Sequence, residues 1–73
     1  MTHNIDKDIL NSNIEYCINE YVRLYEERDI LREKWFKGMT IEQIAAEHNK
    51  SETMIKQVLY GIGDEILLRA SKM

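Results

Sequence analysis

Apolar residues recur at helical spacing from Leu10 onward, and no run alternates apolar and polar over a strand's length. Proline is absent, and the three glycines all lie beyond residue 37. The chain is therefore expected to be all-α, one small domain over residues 1–73 with a thin core. A chain of this size often adds a disulfide, a metal or a partner subunit. Cys17 is the one cysteine, so no internal disulfide forms, and His3 and His48 are too widely separated for a Cys/His metal motif. Neither metal nor cofactor is expected, which leaves oligomerisation or a well-packed helical core.

Hydrophobic residues make up 44% and charged residues 32%, the balance of a globular rather than a disordered chain. Apolar runs are only a few residues, too short for a membrane span. Met1-Thr2-His3-Asn4 lacks the basic-then-apolar order of a signal peptide, and with a free thiol the expected location is the cytoplasm.

A long amphipathic helix is predicted over 6–27. Leu10, Ile14, Cys17, Tyr21 and Leu24 step by four, three, four and three, and Ile18 and Tyr25 widen the stripe. Asp6 and Asp8 suit its N-terminus, while Ser12 with Glu15 fits a capping box. A break near Glu26–Asp29 is an alternative to one continuous helix. The stripe is read as core, within the chain or across a homodimer seam. Tyr16, Tyr21 and Tyr25 are read as packing residues, Cys17 as a buried thiol, Glu26-Glu27 as a solvated face.

A second unit is predicted over 29–62. Ile30, Leu31, Trp35 and Phe36 mark a short helix that stops at Gly38, where glycine suits a left-handed C-terminus. Thr40 with Gln43 forms a capping box for a helix near 40–47, whose inward face is Ile41, Ile44 and Ala45. Asn49 can take the left-handed conformation of a tight turn. Ser51 caps the next helix, with Ile55, Val58, Leu59 and Ile62 inward. Small Ala45 permits close approach, and Ile44, Ile55 and Val58 fill the wedge between the two helices.

The segment Ile30 to Ile62 resembles the C-terminal helix-turn-helix domain of bacterial sigma factors (region 4) and its small phage relatives. The elements that carry the likeness are Trp35-Phe36, Gly38, Thr40, Ile44-Ala45, Asn49, Ser51 and Ile55. Four features depart from that pattern. His48 stands where leucine is usual, Lys50 and Glu33 stand where apolar residues are common, and Gly61 with Gly63 interrupts the tail of the second helix.

The resemblance implies a small non-enzymatic transcription regulator that binds double-stranded DNA. The second helix, 51–60, would read the major groove, with Lys50, Ser51, Glu52, Thr53, Lys56, Gln57 and Tyr60 on its DNA side. Ser51, Thr53 and the amides at the helix start suit phosphate, as do Lys50 and Lys56. Gln57 suits adenine and Glu52 cytosine. Charge opposes this use. The chain is −3 overall, and residues 1–30 carry three basic and seven acidic side chains, net −4. Residues 31–60 carry five basic and four acidic, net +1: Arg32, Lys34, Lys37, Lys50 and Lys56 lie in that half. The alternative use is a protein-docking module whose acidic N-terminal helix holds RNA polymerase or another regulator. No carboxylate pair is tied to a nucleophile, a metal or a glycine-rich phosphate loop, so no enzyme is expected.

Overall fold

The computed structural model describes residues 10–73, all of whose regular structure is helical. Five helices follow in order: α1 Asn11–Tyr21, α2 Tyr25–Trp35, α3 Ile41–His48, α4 Glu52–Tyr60 and α5 Ile62–Ser71. Helices α2, α3 and α4 pack on one another, α5 lies against α4 and α1, and α1 also touches α2. One core joins all five: Ile14, Ile18, Val22, Ile30, Leu31, Ile44, Ile55 and Ile66 are fully buried at its centre.

The long N-terminal helix expected over 6–27 is not continuous. Its start near Asp6 or Asp8 falls outside the described residues, and α1 ends at Tyr21. The break is at Val22–Leu24, before the expected Glu26–Asp29. Two arginines of α2 account for it. Arg28 Nε donates to the Val22 carbonyl at 2.6 Å and a terminal Arg28 nitrogen donates to the Asn19 carbonyl at 3.1 Å. Arg32 donates to Glu15 Oε2 at 2.8 Å and to Asn19 Oδ1 at 2.6 Å. The last carbonyls of a helix need partners, and the Arg28 guanidinium supplies two of them here, while Arg32 ties the α1 side chains of Glu15 and Asn19 to α2. Neither proline nor glycine is involved.

The corner turns Leu24 and Tyr25 out of the core, and at the other end of the stripe Leu10 lies outside the first turn of α1. Leu10, Leu24 and Tyr25 are exposed, as are Tyr16 and Tyr21, so the tyrosines expected to pack inside do not. Tyr21 instead lies under the Arg69 guanidinium, 4.3 Å from its ring centre, and Tyr25 under that of Arg28 at 5.1 Å. Ile14, Cys17 and Ile18 remain buried, and the helix packed along α1 is α5. Helix α5 thus covers the Ile14, Cys17 and Ile18 part of the stripe, while Leu10, Tyr21 and Leu24 stay exposed. Leu10 stands at the N-cap of α1 with no side-chain cap, so the Ser12–Glu15 capping box is not formed.

Gly38 turns the chain after α2 at φ 69°, where a β-carbon would be strained. Helix α4 stops at Tyr60 and α5 begins two residues later, so the helix expected from residue 51 onward is broken at Gly61 and becomes two. Gly63 lies in the first turn of α5 where it approaches α2. A β-carbon there would sit 3.3 Å from Leu31 and 3.4 Å from Trp35, so glycine lets the helices meet closely.

Candidate nucleic-acid interface

Local hydrogen bonds fix the α3–α4 unit. Gln43 N donates to Thr40 Oγ1 at 3.1 Å and Thr40 N donates to Gln43 Oε1 at 2.9 Å, the reciprocal pair expected of a capping box. At the other end Asn49 adopts φ 57°, ψ 46°. The Lys50 amide then donates to the Ala45 carbonyl at 2.9 Å. Ser51 Oγ accepts from Met54 N at 3.1 Å and starts α4. Buried Ile44, Ala45, Ile55, Val58 and Leu59 lock the two helices together, as their spacing predicts.

With its inner face so held, α4 turns Glu52, Thr53, Lys56, Gln57 and Tyr60 outward, all exposed, along with Lys50 and Ser51 just before it. Thr53, Lys56, Gln57 and Tyr60 recur at the spacing of a single helix face. Met54, Gln57 and Val58 also line a shallow open depression with Ile62 and Glu27. The acidic Glu27 therefore lies along one edge of this face.

The cations divide into two groups. Arg32, read from sequence as part of the basic half, is turned toward Glu15 on α1, 2.6 Å away at the closest. Lys50 leans toward Glu26, with Nζ 4.0 Å from Oε1. Lys34, Lys37 and Lys56 make no ion pair among the described residues. Lys56 is thus the cation that α4 itself offers.

Sequence reasoning treated His48 and Glu33 as separate departures from an apolar pattern. In space they are partners. His48 Nε2 lies 2.9 Å from Glu33 Oε1, and His48 Nδ1 lies 3.3 Å from Glu26 Oε2. Glu33 is the one buried charged residue among those described, at 6% exposure. Burial is the largest single influence on His48 and disfavours its charged form. The hydrogen bond and charge of Glu33, followed by those of Glu26, together outweigh burial and hold the pKa above 6.5. Two polar residues at apolar positions fifteen apart were the available signal. Only the packing of α3 on α2 reveals that each explains the other.

Cys17 is buried and free. Burial pushes its thiol pKa up, partly offset by the Arg69 charge. Its Sγ lies 3.5 Å from Met73 Sδ. No cluster of three metal-ligating side chains occurs among the described residues, and no described helix is long and apolar enough to cross a membrane.

Compared with protein-family models, curated proteins and solved structures, the chain finds no match.

Proposed function

We propose that this chain is a small non-enzymatic regulator that binds duplex DNA with α4 in the major groove. The observation that carries this reading is the state of the α4 face. Thr53, Lys56, Gln57 and Tyr60 are exposed on a helix fixed by caps and core, and no described side chain pairs with them. Lys56 supplies attraction to phosphate, and Gln57 offers the amide that pairs with adenine. Glu52 accepts from cytosine, while Lys50, Ser51 and Thr53 sit at the helix start where phosphate binds. Lys50 and Lys56 together imply a logarithmic salt slope of only about −2. Binding is then weak, and it gains only about tenfold between 200 and 50 mM salt.

The test is anisotropy titration of duplex libraries across salt concentrations. Lys56→Ala should weaken all sequences alike and flatten the salt slope by about one unit. Gln57→Ala should relax preference at one base pair by roughly 1–3 kcal/mol. Glu52→Gln should strengthen non-specific binding. Absence of salt-sensitive binding by the parent chain at low salt would refute the proposal.

One observation favours a second reading, a protein-docking module. Tyr21, Leu24 and Tyr25 leave apolar surface exposed at the α1–α2 corner, beside acidic Glu20, Glu26 and Glu27. RNA polymerase or another regulator is the class of partner that reading supplies. Binding to such a partner that survives Lys56→Ala but is lost in Leu24→Asp would support it.

A further inference from the structure

His48 is the last residue of α3, immediately before the turn that leads into α4. Both of its ring nitrogens face carboxylates on α2: Glu33 on one side and Glu26 on the other. A carboxylate accepts but has no proton to donate. A neutral imidazole carries one N–H, whereas the imidazolium carries two. Only the charged ring donates to both partners at once. The side chains of His48 and Glu33 are 12% and 9% exposed, so water is a poor substitute for the bond between them, whereas Glu26 at 41% stays open to solvent.

We propose that His48, Glu33 and Glu26 form a proton-operated latch that fixes the start of the α3–α4 turn to α2 while the imidazole is charged. When the proton leaves, either tautomer keeps one bond and turns a lone pair toward the other carboxylate. Glu33 then also loses the one cation beside it among the described residues. The facing groups are Glu26 and Glu33 from α2 and Lys50 from the turn, which sits 4.0 Å from the second Glu26 oxygen. Glu47, the neighbour of His48 on α3, is exposed and makes no contact with the ring. Helices α4 and α5 contribute no charged side chain to the cluster among the described residues. The carboxylates approach opposite sides of the ring, which suits two hydrogen bonds and not one shared metal ion.

The direction follows from linkage. The folded chain holds the His48 proton more tightly than the unfolded chain does. The latch's contribution is complete below about pH 6.5 and is lost as pH rises through the higher folded value. The segment freed first is the end of α3, whose last carbonyls bind the Asn49 and Lys50 amides. This inference does not depend on DNA binding.

The experiment is an NMR titration of the intact chain from about pH 5 to pH 9, following histidine ring protons. The His48 signal is the one that survives His3→Gln. It should titrate above 6.5 in the folded state, and its pKa should drop in Glu26→Gln, which keeps the side-chain shape. Urea midpoints across the same range should fall with rising pH in the parent. The folding constant should lose up to about tenfold for each pH unit by which the folded pKa exceeds 6.5. His48→Gln should flatten that dependence, with His3 present in both chains as an internal constant. A His48 that titrates at or below 6.5 when folded overturns the latch, as does a pKa unmoved by Glu26→Gln. Both readouts come from chains that retain His48, so failure of His48→Gln to fold does not shield the proposal.

Discussion

Arg28 carries a sharper demand than its place on a charged helix suggests. Replacing it with alanine removes the donors to the Val22 and Asn19 carbonyls at the end of α1. A hydrogen bond from a charged group contributes about 1.5–3 kcal/mol when partly shielded, and the bond to Val22 is partly buried. The bond to Asn19 is exposed and counts for a few tenths at most. The expected loss is about 2 kcal/mol. At roughly 0.05–0.15 kcal/mol per residue, a chain of this length has about 4–11 kcal/mol in all. Arg28→Ala should thus remove a fifth to a half of it and lower the thermal midpoint by about 8–16 °C. Urea melts followed by circular dichroism at constant pH measure this directly. Arg28→Lys should recover part of the loss, since an ammonium cannot span two carbonyls as the guanidinium does. A change in Arg28→Ala of less than about 0.5 kcal/mol would refute the view that arginines from α2 hold the corner.

Two further expectations concern the turn and the thiol. Asn49 sits at φ 57°, so Asn49→Gly should be near neutral, whereas Asn49→Val should cost about 1–2 kcal/mol in the same melts. Equal effects would mean that the left-handed turn does not matter. Cys17 is 1% exposed with its pKa pushed upward, so disulfide reagents near neutral pH should modify it only as fast as the domain opens. Labelling at the rate of a free peptide thiol would contradict that burial.

The helical class and the α3–α4 unit were legible because each boundary there has a chemical mark. Thr40 and Ser51 have hydroxyls that cap, Gly38 and Asn49 tolerate left-handed backbone, and small Ala45 lies among isoleucines at helical spacing. The α1–α2 corner has no such mark. Its cause is a pair of arginines reaching back six to seventeen residues, and long side chains can point in many directions until the fold chooses one. The same blindness misplaced Arg32, which reads as a cation for an external ligand until Glu15 is seen beside it. Tyr25 was misread for the reverse reason. The stripe's period runs straight through a break that periodicity cannot register, so Leu24 and Tyr25 keep the count but lose the core, while Tyr21, still on α1, lies at the edge of the buried face under Arg69. His48 and Glu33 were visible only as exceptions, because a sequence read position by position has no term for two exceptions that cancel.

The layer formed by α1 and α5 also sets the order in which the domain can assemble. Cys17 and Met73, in contact at 3.5 Å, lie 56 positions apart. Closing a loop of that length costs roughly 3–4 kcal/mol of chain entropy before any contact across it is gained. The packing of α2, α3, α4 and α5 on their neighbours faces no such penalty, since each follows the one before through a short connection. Only the contact between α1 and α5 has to close across most of the chain, so that contact is the clasp whose formation local packing favours last. Neither half of the clasp has full cover for its apolar face without the other, so Ile14 and Ile18 on one side and Ile66 and Ala70 on the other become exposed together. Because α5 also rests on α4, that opening reaches the back of the helix whose front is turned outward. The support of that outward face therefore includes a contact made between the two ends of the described chain.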